Sequence, residues 1–184
     1  MPDVPPLPDG CKRCRLLVDG YNLMYAVGAI QHGATEPKAL QRGREKVIGM
    51  ISQRMSHELS KRVWIVFDSE LAPKDLPDLW LKDGIYVAFS RGWNSADEML
   101  QAILAGHHSP KQLVVISSDH AVQRKALSRN AQCFDSDGWT DAMDALLGGA
   151  TDDDANAMED ELRPDHVSQS ERDRWLREFG IGDP

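Results

Sequence analysis

Four acidic positions stand just beyond four separate apolar runs, and that placement is the chemically informative feature of this 184-residue chain. Asp19 follows Leu16-Leu17-Val18, and Asp68 follows Val63-Trp64-Ile65-Val66-Phe67. Asp97 and Glu98 open the segment after Ile85-Tyr86-Val87-Ala88-Phe89, and Asp119 follows Leu113-Val114-Val115-Ile116 by two serines. If the runs are parallel strands of one sheet, their carboxyl ends share an edge, which is where open α/β sheets build their sites. Carboxylates gathered there repel one another unless divalent cations sit between them. Hard oxygen ligands without nearby His or Cys select Mg²⁺ or Mn²⁺, whose retained waters suit attack on a phosphate ester. Any one Asp at a strand end is equally a turn former, so the coincidence of four carries the argument. Glu98 ranks lower, because it is the N3 residue of a Ser95-x-x-Glu98 capping box and a side chain returning to the Ser95 N–H accounts for it. Asp97 is not required by that cap.

The elements that must position these acids follow from the apolar pattern. Continuous runs of four or five apolar residues read as strands buried on both faces. A further short strand is expected at Gln132 to Phe134. Between them, Glu36 to Arg62 carries Leu40, Val47, Ile48, Ile51, Met55 and Leu59 at helical spacing and reads as one amphipathic helix. Asp19-Gly20 reads as a turn. Ser95 to Ala105 reads as a helix stopped by Gly106, the segment after Asp119 as a helix ending at Asn130, and Thr140 to Leu147 as another. Strands alternating with helices predict an α/β, three-layer, doubly wound and mainly parallel sheet of about five strands. We expect a flexible segment over residues 1–14, the domain over 15–147, and an acidic linker with a short C-terminal helix over 148–184, the helix bearing Trp175, Leu176 and Phe179.

Composition removes several alternatives. Hydrophobic residues are 41% and charged residues 27%, ordinary values that disfavour disorder or a disulfide scaffold. The apolar runs are too short to span a bilayer, and the proline-rich acidic start does not read as a secretory signal, so the expected location is cytoplasmic, without membrane. The net charge of -8 comes from 29 acidic and 21 basic residues; 11 and 4 of these lie from Gly149 onward, so residues 1–148 hold 18 and 17. That near-neutral body leaves a polyanionic partner open. Cys11 and Cys14 form half of a zinc motif, but Cys133 is alone, so free thiols at a frayed terminus are the favoured reading. The six histidines show no competing pairing; His120, beside Asp119, reads as a helix-surface residue. A phosphotransferase built on an Asp nucleophile would want a second Asp two residues after Asp19, and Tyr21 stands there.

Together the segments Leu17-Val18-Asp19-Gly20-Tyr21-Asn22-Leu23, Val66-Phe67-Asp68, Ser95-Ala96-Asp97-Glu98 and Val115-Ile116-Ser117-Ser118-Asp119, with Gln123 downstream, resemble the NYN domain of the YacP type within the PIN-like nuclease superfamily. The resemblance spans roughly residues 15 to 147. It implies a PIN-like fold and a metal-dependent endoribonuclease that hydrolyses RNA phosphodiesters in line to leave a 5′-phosphate, with messenger RNA at the ribosome as one branch's substrate. Carried over by position, Asp19, Asp97 and Asp119 match the metal-binding acids, with Asp68 a further member, and Asn22 matches an Asn that orients a phosphate oxygen or a water. Ser117 and Ser118 add hydroxyls, although Ser118 also suits a helix cap. Arg91-Gly92-Trp93-Asn94 departs from the acidic or small residues that relatives often carry. Arg91, Trp93 and Asn94 in that loop, and Arg124 beside Lys125, are the expected RNA contacts. Lys38, Arg42, Arg44 and Lys46 offer more cations, which a solvated helix face explains equally well. The alternative reading is an RNA- or ribosome-binding module that keeps the fold without cleavage.

Overall fold

Period-two alternation within the apolar runs sorts their side chains to two opposite cores. In the computed structural model, which describes residues 5–148, the strands are β1 (Leu16–Asp19), β2 (Val63–Phe67), β3 (Leu79–Lys82), β4 (Ile85–Phe89), β5 (Val114–Ile116) and β6 (Gln132–Phe134). Their order across the sheet is β3-β4-β2-β1-β5-β6, with every pair parallel except β3 with β4. Leu16, Val18, Ile65, Phe67, Val87, Phe89 and Ile116 face one core. Leu17, Trp64, Val66, Ala88 and Val115 face the other. The helices are α1 (Gly20–Ala26), α2 (Pro37–Ser52), α3 (His57–Ser60), α4 (Ala96–Gly106), α5 (His120–Ser128) and α6 (Trp139–Gly148). α1, α2 and α6 bury their apolar stripes on the first core, α4 and α5 on the second, which completes the three-layer sandwich.

Three elements differ from the reading of the sequence. Asp19-Gly20 is not a free turn: Asp19 is the N-cap of α1, which begins at Gly20. Only glycine fits there, because an added Cβ would lie 2.3 Å from the Phe67 ring. The long helix expected from Glu36 to Arg62 breaks after Ser52, and Ser56 restarts it by accepting the Leu59 N–H at 3.3 Å. Met55 and Leu59 still pack against the core, so apolar spacing alone did not reveal the break. A sixth strand, β3, forms a hairpin with β4 through Asp83 and Gly84, both at positive φ (52° and 82°). The Asp-Gly pair carried the turn signal.

Cys11 and Cys14 do not sit at a frayed end. They are free thiols on a single 3₁₀ turn, buried in the second core with Leu17, Trp64 and Leu104. Burial pushes the Cys11 thiol up to about 11 and that of Cys14 higher still, which disfavours the thiolates a zinc knuckle needs. The expected acidic linker and C-terminal helix lie outside the described residues. Among the described residues no helix is long and apolar enough to cross a membrane.

Candidate active site

The order of the sheet places β1 between β2 and β5, so the acid at the end of β1 is central on the carboxyl edge. Chain direction across the sheet reverses beside β1, the position where doubly wound sheets open a crevice. Asp19 occupies it with 4% exposure. Its Oδ1 accepts the Asn22 backbone N–H at 3.1 Å, and its Oδ2 accepts the Asn22 side-chain amide at 2.5 Å and the Ser117 hydroxyl at 3.2 Å. Ser117 in turn accepts the Asp119 N–H at 3.1 Å, so one hydroxyl ties the ends of β1 and β5 together.

The other acids arrive from helix starts and a strand end. Asp119 caps α5, its Oδ1 accepting the N–H groups of Ala121 and Val122 at 2.8 and 2.9 Å. Asp68, after β2, accepts the Glu70 N–H through Oδ1 at 2.8 Å and the Ala96 N–H at the start of α4 through Oδ2 at 3.0 Å. Asp97, in the first turn of α4, makes no hydrogen bond among the described residues. These four acids line one cavity of about 350 Å³ with Tyr21, Asn22, Ala96 and Ser118.

Their electrostatics bear the marks of crowding. Burial pushes the Asp19 carboxyl up to about 6; the Asn22 N–H opposes that rise and the charge of Asp97 adds to it. Asp97 is also raised, first by burial and then by Asp119 and Asp68. Among the described residues, no three acidic, His or Cys side chains converge tightly enough to cage an ion outright. Capping accounts for this, because Asp68 and Asp119 turn oxygens toward backbone N–H groups. The donor set nevertheless fits Mg²⁺ or Mn²⁺: it is all oxygen, and Mg²⁺ is commonly held by one or two carboxylates with water and substrate phosphate completing the shell.

The remaining expected residues fall in different places. Asn22, Ser117 and Ser118 belong to the site or its support; Ser118 lines the cavity and accepts the Ser136 N–H at 3.0 Å, while the helix cap expected of it is made by Asp119. Glu98 accepts the backbone and side-chain N–H groups of Asn94, both at 2.8 Å, rather than the Ser95 N–H. That bond takes one of the two N–H groups of the Asn94 amide. Arg91 points inward, donating to Asp78 at 2.5 Å and to the carbonyls of Leu76 and Pro73, so its guanidinium fastens the 73–78 loop. Trp93 is 9% exposed and packs in the second core, which withdraws it as a stacking platform. Arg124 stays exposed on α5, outside the acid cavity. Tyr21 and Ala96 are wall residues that sequence reasoning did not single out, although they sit inside the Asp-Gly-Tyr-Asn and Ser-Ala-Asp-Glu segments.

Residues 16–177 match the YacP-like NYN domain. The chain belongs to that family. NYN domains are part of the PIN-like nuclease superfamily, so the architecture is a nuclease-like one. Among solved structures, Rae1 (YacP) from Bacillus subtilis is 19% identical over 90% of this chain and 87% of that one, with a TM-score of 0.48. A tryptophan-to-leucine mutant of that same protein is 22% identical over 72% and 76%, with a TM-score of 0.46. No curated protein matches the chain. Within this YacP-like NYN domain, Asp19, Asp68, Asp97 and Asp119 line one cavity.

Proposed function

We propose that this protein is a divalent-metal-dependent endoribonuclease that hydrolyses RNA phosphodiester bonds at the cavity formed by Asp19, Asp68, Asp97 and Asp119. The observation that carries the reading is the meeting of these four acids at one cavity on the carboxyl edge, with Asp97 unbonded among the described residues and its proton affinity raised by burial and by its neighbours. Mg²⁺ or Mn²⁺ bound there would neutralise the crowded carboxylates and the phosphate and would activate water for attack. Asp97 is the first ligand, since no cap competes for its oxygens. Asp19 and Asp119 supply further oxygens while holding α1 and α5 in place, and Ser117 keeps the two at fixed separation. Asn22, drawn onto Asp19, orients a phosphate oxygen or the attacking water through its amide. Asp68 fixes the start of α4 and so aims Asp97. Arg124 offers an exposed cation for the RNA backbone.

A binding module without cleavage is the second reading, favoured by the absence of a ready three-carboxylate cage among the described residues. The test is cleavage of a labelled mixed RNA with Mn²⁺ or with EDTA, by the wild type and by Asp97→Asn and Asp19→Asn, with ribosomes present and absent. Metal-dependent cutting that both substitutions abolish is the expected result. RNA bound but left intact in every condition, ribosomes included, would favour the module.

A further inference from the structure

A second cavity, of about 370 Å³, opens where α2 faces β3 and the 73–76 loop, and its lining includes Lys38, Arg44, Glu45, Asp75, Trp80 and Lys82. One contact joins it to the acid cavity: Arg44 Nη1 donates to the Tyr21 hydroxyl at 3.4 Å, and Tyr21 lines the acid side.

Arg44 is the unusual member. α2 turns it toward the sheet together with Leu40, Val47, Ile48 and Ile51, leaving it 4% exposed. Its guanidinium carries five N–H donors. Among the described residues it finds only the long bond to Tyr21 and the Phe89 ring, 5.7 Å from centroid to carbon. No described carboxylate pairs with it. Glu45 and Asp75 lie on the exposed rim, and Glu45 already accepts from Gln41 at 2.9 Å. Arg91, which packs on the same Phe89 ring at 5.3 Å, shows the contrast, since Asp78 and two carbonyls satisfy it. A largely buried guanidinium with donors to spare on an open cavity, and with no described carboxylate paired to it, is suited to an anion.

We propose that this cavity is a nucleotide subsite for single-stranded RNA. A backbone phosphate meets Arg44, Lys38 and Lys82 add positive charge at the rim, and a base packs on Trp80, which itself rests on Phe89 with centroids 5.1 Å apart. The aromatic wall and the volume favour a nucleotide over a lone phosphate ion, which would leave most of the space unfilled. The subsite rests on the nuclease reading and extends it: through Tyr21, a strand engaged at the acids is gripped at a neighbouring nucleotide.

The test is the affinity of the full-length protein for a 5′-labelled single-stranded RNA hexamer in EDTA, read by fluorescence anisotropy. Arg44→Met is expected to weaken binding about tenfold or more, the scale of one charge-assisted contact. Its melting temperature without RNA should equal or exceed that of the wild type, because among the described residues the substitution gives up one long hydrogen bond and a ring contact while removing a largely buried charge. The surface pair Lys38→Ala with Lys82→Ala should weaken binding and lower the salt slope by roughly 1.4. Wild-type affinity in both variants would overturn the subsite, as would lowered stability with unchanged affinity for Arg44→Met, which marks a structural role. Inorganic phosphate that protects the wild type from melting and is not displaced by the hexamer would also overturn it, in favour of a free-phosphate site. Failure of the nuclease reading is separately visible: a wild type that never cuts but binds RNA through Arg44 leaves the subsite standing.

Discussion

The acid cavity and the Arg44 cavity, joined by Tyr21, handle unbalanced charge in opposite ways. On the acid side, backbone N–H groups at the starts of α1, α4 and α5 and the Asn22 amide absorb much of the negative charge. Helix N-termini supply that relief without any counter-ion. Only Asp97 escapes it, and only Asp19 is buried deeply enough to be driven up to about 6. Arg44 lies in the middle of α2, where every carbonyl is spent within the helix, so no terminus offers acceptors to its guanidinium. A fold can therefore hold a cluster of carboxylates by building helices on them, while a buried mid-helix arginine is left for a ligand to satisfy.

The largest expected effect concerns the member of the acid side that no cap employs. Asp97→Asn should lower metal-dependent RNA cleavage by at least about 100-fold, while melting in EDTA holds at or above the wild-type temperature. A parallel loss of folding would mean that Asp97 is structural after all and would break the contrast with its capping neighbours. Asp19 gives a pH signature of the next size. Its native pKa lies above the unfolded value of about 3.8, so the native state holds the proton more tightly and stability falls as pH rises through the window from about 4 to about 6. Above pH 7, Asp19→Asn should therefore recover part of a penalty of up to roughly 3 kcal/mol, an advantage that fades by pH 4. Chemical denaturation at the two pH values, in EDTA, measures it; a pH-independent difference would contradict the burial argument. The smallest effect concerns the satisfied arginine. Arg91→Ala should cost about 1–2 kcal/mol by freeing the 73–78 loop, with RNA affinity in EDTA reduced far less than by Arg44→Met. Equal losses for the two would erase the distinction between a fastening arginine and a waiting one.

Much of this arrangement is legible before folding, and the reasons are local. Residues 63–67, 85–89 and 114–116 are continuous apolar runs because parallel strands are buried on both faces, and the residue after each run must emerge at the same edge. Asp19 and Asp68 could thus be placed together directly, Asp119 two serines beyond its run, and Asp97 through the helix start that follows the third run. Asn22, Ser117 and Ser118 came from the family resemblance. The loop residues after β4 behaved otherwise. Arg91 and Trp93 look outward-facing by type, but the first is recruited by carbonyls brought in from residues 73 and 76 and the second fills a gap in the core. The four-residue edge strand β3 was hidden because it is too short to show an alternation, and α3 because Met55 and Leu59 carry the apolar spacing of α2 across the break.

The sequence by itself determined the layered α/β fold, the common edge for its strand-end acids and the family, because backbone periodicity and the two-sided burial of parallel strands are local consequences of residue type. The tertiary structure decided which polar groups are already satisfied. It gave Asp68 and Asp119 to helix starts, turned Arg91 onto its loop and buried Arg44 beside Tyr21, while among the described residues Asp97 was left without a bond and Arg44 without a paired carboxylate. Those outcomes depend on partners distant in the chain, and hydrogen-bond satisfaction is settled only when those partners meet.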